Sequence, residues 1–448
     1  MYNKYSIAVL SFFFLILLFP FLGILSKINY NIEEILIFLK NSYTQRIIFF
    51  SFYQAFLSAL ISCILAIPFA LALNRHKDHK LIRYIISLCG FSFVIPSILI
   101  VFSVIKIFGY NGILNKYFNF YDLISIESIY GLKAILIAHV LLNAPFATRL
   151  FVQNLNNIPK NYYEISESLN LSFFGNIFKL EIPIIRQSLF AVFSIIFSLC
   201  FLSFAIVMAL GGSPKNSTLE VAIFQYALFD LNFNKAIMLS FIQIIICIIF
   251  VFIGFYKFKG SNFFEIGPIK YKHPHKNKIL IKLIDYLLII FFSIFLFSPV
   301  ILLYSEFLKS IFFKIELTYT FIHAFINSII ISLSTGLVVS IFGLLISYLL
   351  VINHKNFLLQ QLLFLTSSMI LIISPIIFSL GYFIYFQPII HYSYLNFFLV
   401  ILINVIFLLP FAILIFFNNL KNLYLNFNDF RKTFRIELIN YIKIIFPL

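Results

Sequence analysis

The sequence is poor in charge, in cysteine and in phosphate-binding motifs. Only 11% of its 448 residues are charged, whereas soluble domains carry about 25%, so a soluble globular fold is excluded. The four cysteines lie in apolar segments without metal-ligand spacing, which argues against a zinc site or a disulfide framework; they are Cys63, Cys89, Cys200 and Cys247. No G-x(4)-G-K-[ST] loop is present, so the chain lacks the usual means of holding ATP for hydrolysis.

Most of the chain is hydrophobic instead. Apolar residues make up 62% of it, and the mean hydropathy is +1.04. Charge-free stretches such as Leu317–His354 and Asn356–Leu420 exceed the ~20 residues that a helix needs to cross a bilayer. Such stretches predict an all-α polytopic membrane protein with about ten transmembrane helices. We expect the first of them, Tyr5–Ser26, to remain as an anchor rather than be cleaved.

Basic residues predict the orientation of these spans. With the N-terminus in the cytoplasm, most Lys and Arg residues fall in cytoplasmic segments, as the positive-inside rule requires. The net charge of +16 then reflects topology and contact with anionic membrane lipid. Because the basic residues form no soluble domain, no nucleic-acid partner is expected.

The two halves of the chain resemble each other in order. Asn74–Lys77 matches Ile352–Lys355, Pro96 matches Pro375, and Val140–Leu155 matches Val405–Leu420, which also aligns Pro145 with Pro410. The pattern predicts a first transmembrane repeat at 1–256, a basic cytoplasmic linker at 257–281, and a second repeat at 282–448 that is incomplete at its C-terminus. Tandem repeats of this kind are common in membrane transporters.

One polar loop stands out between the spans, from Glu164 to Pro183. Its composition predicts two short helices that meet at Asn170, a residue that tolerates left-handed backbone angles. Acidic residues Glu164 and Glu167 are expected in the first turns, where they suit the helix dipole, and Pro183 precedes the next span. Such a loop is either a solvated connector on the membrane surface or a rigid peg for a partner, with an apolar tip at Leu169, Leu171, Phe173 and Phe174.

The spacing of this loop resembles the cytoplasmic coupling loop of importer-type ABC permeases, written E-A-A-x(3)-G-x(12)-P. Glu164 takes the acidic position, Ile165 and Ser166 the two Ala positions, Asn170 the Gly position and Pro183 the last one. The resemblance implies that a cytoplasmic ABC ATPase dimer docks here, with Leu169, Leu171 and Phe174 in the apolar tip.

Further segments resemble particular branches of these binding-protein-dependent (type I) permeases. His139–Arg149 resembles the span before the coupling loop in the subfamily that serves thiamine and ferric iron. Ala209–Gln225 is more similar to the thiamine branch, with a Gly211-Gly212 turn and a Thr218–Gln225 run that would face the outer side. The resemblance implies a fused two-repeat permease that translocates thiamine or its phosphate ester across the bacterial inner membrane. It also implies a periplasmic solute-binding protein as a partner, no cofactor, and no enzymatic activity of its own.

A second coupling loop is expected near the end of the chain, in degenerate form. Counting back from Pro447 places Asn428 at the acidic position and Phe434 at the Gly position, beside the basic residues Arg431, Lys432 and Arg435. Docking at this loop is therefore expected to be weaker. The chain stops at Leu448, where the resemblance calls for further spans.

Three alternatives remain open. A ferric-iron or other small-solute ABC permease would share the fold. A secondary transporter would need no ATPase, but it usually carries ionisable groups at midplane, and His139, with Asn143 one turn on, is the clearest one here. These two residues either line the pathway or make an interhelical hydrogen bond. A non-transporting truncated remnant is the third alternative.

Overall fold

The computed structural model describes most of the chain. The described residues are 19–20, 22–26, 32–92, 95–118, 129–156, 158–212, 214–256, 273–276, 278–312, 318–352, 373–387 and 393–434. Within these ranges the regular structure is helical, and no strand occurs. The predicted all-α fold class is confirmed.

From residue 32 onward, sixteen α-helices and one π-helix are defined over these ranges. In the first part of the chain they are α1 (Ile32–Lys40), α2 (Ser42–Arg75), α3 (Lys80–Phe91), α4 (Ser97–Phe108), α5 (Ile113–Phe118), α6 (Leu132–Leu155), α7 (Lys160–Ser168), α8 (Phe173–Asn176) and the π-helix Ile177–Glu181. They continue as α9 (Ile182–Phe201), α10 (Ala205–Leu210), α11 (Leu219–Leu228), α12 (Phe233–Tyr256), α13 (Ile279–Phe312), α14 (Tyr319–Ile352), α15 (Pro375–Phe386) and α16 (Ser393–Phe434).

Seven helical segments of the described chain are long and apolar enough to cross a membrane, and a bent pair within α16 makes an eighth. The polytopic membrane architecture is thereby confirmed. Two further predicted spans fall mostly outside the described residues, at Tyr5–Ser26 and at the start of the 356–420 stretch.

The chain divides into two compact units. One comprises Asn29–Glu316, and the other comprises Met1–Ile28 with Leu317–Leu448. In the larger unit α13, the helix after the predicted linker, packs against α2, α4 and α6. The repeat boundaries at 256 and 282 stay a prediction.

The core of the larger unit lies where α2 packs along α6 and α9. Small residues of α2 are fully buried there, among them Ala55, Ser58 and Ser62. Small side chains allow transmembrane helices to approach closely, which favours van der Waals packing where no hydrophobic driving force exists between helices. This packing fixes the ends of α2, α6 and α9, which border the polar loop.

In the smaller unit α14 packs along α16. The Ser347 hydroxyl donates to the Ile413 carbonyl at 3.3 Å, and a Cβ added to Gly343 would lie 2.8 Å from Ala412, so the two helices approach closely. Helix α16 bends by 43° between Leu395–Leu409 and Phe411–Phe417. The intervening residue is Pro410, and proline is a recognised cause of such bends.

Candidate functional site

The polar loop (residues 158–183) follows the predicted path. Helix α7 ends at Ser168, and Asn170 has a φ of 47°, in the left-handed region. The Leu171 N–H then donates to the Ser166 carbonyl at 2.9 Å, and the Ser172 side chain accepts from the Gly175 N–H to cap α8. Two short helices joined by a left-handed turn at Asn170 are therefore confirmed.

A π-helix, Ile177–Glu181, connects α8 to the next span. Helix α9 follows at once, and Pro183 lies in its first turn. Single π-turns are rare and are often found at functional sites. Here the π-helix ends at Glu181, whose side chain is completely buried.

The outer surface of the polar loop is apolar. We call this surface the apolar face; it consists of Ile165, Leu169, Phe174 and Phe178, which are 55%, 66%, 67% and 66% exposed. Of the predicted apolar tip, Leu169 and Phe174 are exposed, whereas Leu171 and Phe173 are only partly exposed. Phe178 was missed because it lies on the π-helix, whose period a helical pattern does not predict.

The inner surface of the polar loop is held by hydrogen bonds. The buried Ser166 hydroxyl donates to the Tyr163 carbonyl at 2.8 Å, and the Tyr163 hydroxyl donates to Glu181 Oε1 at 3.3 Å. Burial raises the pKa of Tyr163, as does the neighbouring Glu181 carboxylate, so the tyrosine remains a hydrogen-bond donor at neutral pH. Ser166, in an Ala position of the motif, therefore packs inward while Ile165 points outward.

Glu164 differs from the expected arrangement. Helix α7 begins at Lys160 and carries no acidic residue in its first turn, so Glu164 and Glu167 lie in the second turn. The influence of the helix dipole fades beyond the first turn. Glu164 instead forms an exposed ion pair with Lys160 at 2.9 Å, one helical turn earlier.

Beneath the loop lies a buried ionic cluster that sequence analysis missed. Arg75, the last residue of α2, donates to both carboxylate oxygens of Asp285 on α13, at 2.8 and 2.6 Å. Its Nη1 also lies 3.8 Å from Glu181 Oε2. The His76 ring contributes a further donor, with Nε2 3.0 Å from Asp285 Oδ2.

The cluster joins three elements through buried side chains of opposite charge. Buried charges are tolerated when they are paired and hydrogen-bonded, because their removal from water is otherwise very costly. Arg75 pairs with the carboxylates of both Asp285 and Glu181. Glu181 has a second neighbour, because the His273 ring lies 3.4 Å from its Oε1. The end of α2, the start of α13 and the end of the polar loop are thus tied together.

Next to this cluster, Lys77 bridges to the end of α6. Its ammonium donates to Asn156 Oδ1 at 2.7 Å and to Asn74 Oδ1 at 3.1 Å. Burial lowers the pKa of Lys77, while the carboxylates of Asp78 and Glu181 oppose that change. The end of α2 is therefore linked to the end of α6, the span that leads into the polar loop.

His139 and Asn143 lie buried on α6, between α2 and α9. His139 Nδ1 is 3.0 Å from the Ser58 hydroxyl of α2, and Asn143 Nδ2 contacts Cys200 Sγ of α9 at 3.3 Å. The interhelical hydrogen bond that was one of the two predicted roles of His139 is therefore present, between α6 and α2. His139 Nε2 has no hydrogen-bond partner among the described residues, and a role in the pathway stays a prediction.

Between α10 and α11, the Gly211-Gly212 pair makes the predicted turn, with Gly212 at a φ of 67°. Helix α11 is not an amphipathic surface helix, since Glu220 is completely buried. Its Oε2 accepts from Gln243 Nε2 of α12 at 2.6 Å. A buried carboxylate on this short apolar helix was not expected from the sequence pattern.

The second predicted coupling loop is described only in part. Asn428 and Phe434 lie on α16, which remains helical through Phe434, and Pro447 lies outside the described residues. Its docking role stays a prediction. Across the described ranges no group of three or more His, Cys, Asp or Glu side chains could hold a metal ion.

Comparison with known proteins shows which family this arrangement resembles. Residues 66–259, which hold the polar loop and its flanking spans, match the model of the binding-protein-dependent transport system inner membrane component. Over these residues the chain is similar to that family, whose members are inner membrane components of binding-protein-dependent transport systems.

Curated relatives include thiamine permeases. The chain is 36% identical over 265 residues to the thiamine transport system permease protein of Haemophilus influenzae, covering 58% of this chain and 48% of that protein. It is 37% identical over 209 residues to the protein of the same name from Escherichia coli, covering 47% of this chain and 39% of that protein. The chain thus spans about half the length, or less, of the curated relatives it matches.

A solved structure is also similar, at a low level. It is the crystal structure of a bacterial alginate ABC transporter in complex with alginate pentasaccharide-bound periplasmic protein, with a TM-score of 0.46 and 13% identity. The similarity covers 56% of this chain and 91% of that chain.

Proposed function

We propose that this chain is the transmembrane subunit of an ABC importer for thiamine or its phosphate ester in the bacterial inner membrane. The observation that carries the proposal is the polar loop, which has the spacing of a coupling loop, a left-handed turn at Asn170 and an exposed apolar face above a buried ionic cluster. The substrate class is supported by the thiamine permeases among its relatives.

In this function a cytoplasmic ATPase dimer docks on the polar loop. Ile165, Leu169 and Phe174 supply the apolar contact, since clustered exposed apolar side chains mark protein interfaces. Ser166, Asn170, Leu171 and Pro183 give the loop its shape, and Glu164 with Lys160 forms a polar rim. The N-terminus is then cytoplasmic, and the α11 side of the larger unit receives a periplasmic solute-binding protein.

Energy for transport comes from the ATPases. Closure of the ATPase dimer around ATP pushes the polar loop and shifts the spans between inward-facing and outward-facing states, because ATP binds the two states with different affinity. The second loop, with Asn428, Phe434 and Pro447, offers a weaker docking point for the other ATPase. His139 and Asn143 lie where a pathway between α2, α6 and α9 would run.

The test is uptake of labelled thiamine into proteoliposomes that contain this permease with its own ATPase and binding protein. We expect ATP-dependent uptake that collapses in Leu169→Asp and weakens in Glu164→Ala. The matched control is Phe118→Ser, because Phe118 on α5 is 64% exposed but lies outside the polar loop.

Three outcomes would overturn parts of the proposal. Uptake that persists without the ATPase would indicate a secondary transporter. ATP-driven uptake of ferric iron or another solute, but not of thiamine, would refute the substrate. Correct membrane insertion with no uptake of any offered solute would indicate a non-transporting remnant.

A further inference from the structure

We propose that His273 and His275 are positioning residues that clamp the polar loop from the segment leading into α13. The two histidines flank Pro274 and are 7% and 9% exposed. They contact the loop at three separate points, although they are distant from it along the chain. His275 and Leu171, for example, are 104 residues apart. This inference rests on the proposed function, because it concerns how the docking loop is held.

The first contact lies at the apex of the loop. His275 Nε2 is 3.0 Å from the Leu171 carbonyl oxygen, and since a carbonyl can only accept, Nε2 carries the proton and donates. Leu171 directly follows the left-handed Asn170. The His275 ring also meets the edge of Phe173, with ring centroids 6.1 Å apart, so the apex is held by both a hydrogen bond and an aromatic contact.

The other two contacts, with Glu181 and with Tyr163, are both made by His273. The His275 backbone N–H donates to His273 Nδ1 at 3.2 Å, which leaves the ring proton on Nε2, and this nitrogen lies 3.4 Å from Glu181 Oε1. The His273 ring packs edge-on against Tyr163, with centroids 5.4 Å apart. One residue thus touches α7 at the start of the loop and the carboxylate at its end.

The clamp is itself anchored to the end of α2. Lys276, the next residue, pairs with Asp78 at 2.6 Å. The Arg75 guanidinium lies over the Phe173 ring, 5.1 Å from its centroid, and holds Asp285 of α13. The polar loop, α2 and α13 therefore form one connected body.

A mechanical consequence follows from this connection. When a docked ATPase displaces the apolar face, the force is transmitted to α13 through His273, His275 and the ionic cluster. It is also transmitted to α6 and α9, the spans on either side of the loop. The helix after the linker, rather than the loop's own spans alone, is then driven by the docked ATPase.

The clamp can be tested on the permease alone, in lipid nanodiscs without ATPase. Hydrogen exchange at the amides of residues 163–176 reports how often the loop opens. Loss of the His275 hydrogen bond to Leu171, or of the His273 ring with its hydrogen bond from the His275 N–H and its 3.4 Å approach to Glu181, is expected to speed this exchange by about tenfold. We expect that change in His273→Ala and His275→Ala, and a return toward the original rate in His273→Gln and His275→Gln, whose amide retains a donor at the Nε2 position.

The matched control is His79→Ala, because His79 is exposed at the start of α3 and its side chain caps nothing. It should leave loop exchange unchanged. Unchanged exchange in both clamp alanine variants, or equal acceleration in the His79 control, would overturn the proposal.

A second measurement separates positioning from simple stability. In proteoliposomes with ATPase and binding protein, the clamp variants should hydrolyse ATP with a KM close to the original value while transporting several-fold fewer thiamine molecules per ATP, and the Gln variants should recover the ratio. An unchanged ratio would refute the positioning role. If the original permease fails to bind the ATPase, the proposed function fails, whereas the exchange experiment still decides the clamp.

Discussion

Arg75 and Asp285 form a two-pronged ion pair inside the protein, with hydrogen bonds of 2.8 and 2.6 Å between residues that are 210 positions apart. Arg75 ends α2 and Asp285 lies in the second turn of α13. Two parallel N–H···O bonds fix the relative orientation of the two side chains, which a single contact would not. The pair therefore sets the register between a helix of the first half of the chain and the helix that follows the linker.

Asp285→Asn tests the contribution of this pair. The change leaves a buried guanidinium with Glu181 as its remaining carboxylate, at 3.8 Å, and breaking a buried pair in this way costs about 3–5 kcal/mol. We expect a clear fall in the midpoint of thermal unfolding of the purified permease. The control is Glu306→Gln, which removes exposed pairs with Lys106 and Lys309 and should have little effect. Equal shifts in the two variants would contradict the assignment.

Asn170 offers a second test, on the turn of the polar loop. Its φ of 47° costs L-residues with a Cβ roughly 1–2 kcal/mol, and a β-branched side chain is least tolerant of it. Asn170→Gly should therefore keep the thermal stability and ATPase affinity of the permease, whereas Asn170→Val should lower both. Leu169→Val is the control for stability, because Leu169 has a φ of −84°. Identical stability of the Gly and Val variants at position 170 would show that the turn is not strained.

The path of the polar loop could be predicted because its signals are local. Asn170 is a turn-forming residue between Leu169 and Leu171, and Pro183 precedes an apolar run, so the turn and the start of α9 follow from neighbouring residues. The spans were likewise visible as charge-free stretches. Local signals also explain one error: Phe173 and Phe174 are adjacent and equally apolar, and only the tertiary fold decides that Phe173 turns under Arg75.

The clamp and the ionic cluster could not be predicted because their partners are distant along the chain. Arg75 and His273 each looked like one of many basic residues that follow the positive-inside rule. Nothing near Arg75 in sequence indicates Asp285, and nothing near Glu181 indicates His273. The burial of Glu220 was missed for a related reason, since its partner Gln243 is supplied by the next helix.

The apolar face makes a quantitative prediction about docking. Exposed aromatic side chains at the centre of an interface commonly contribute 2 kcal/mol or more when removed, and flanking ones contribute less. We expect Phe174→Ser and Phe178→Ser each to weaken ATPase binding by about 1–2 kcal/mol, which is roughly a tenfold rise in Kd. The measurement is binding of the purified ATPase to immobilised permease nanodiscs.

Phe118→Ser serves as the control for that experiment, because it removes an equally exposed phenylalanine outside the polar loop. Its Kd should equal that of the original permease. An unchanged Kd in both loop variants would place the docking surface elsewhere. A change for Phe174 but not for Phe178 would confine the surface to the residues of the motif.

The free energy of holding the polar loop in the clamp is expected to depend on pH through His275. Burial lowers the pKa of His275 below its usual value of 6.5, and Lys278 and His273 act in the same direction, while the Leu171 carbonyl and Glu167 oppose them. The released loop therefore takes up a proton at higher pH than the clamped loop does. Linkage then requires that clamping be fully present above about pH 6.5 and be lost as the pH falls toward the lower, clamped-state value.

The measurement is loop opening between pH 7.5 and pH 5, followed by an environment-sensitive fluorophore on a cysteine introduced at Ser168, which is exposed on α7. Opening should increase as the pH falls in the original permease. In His275→Gln the same titration should be flatter, because glutamine keeps the donor to Leu171 but has no titrating ring. The His79→Ala variant should retain the original slope, and an equal slope in His275→Gln would assign the pH response to groups other than His275.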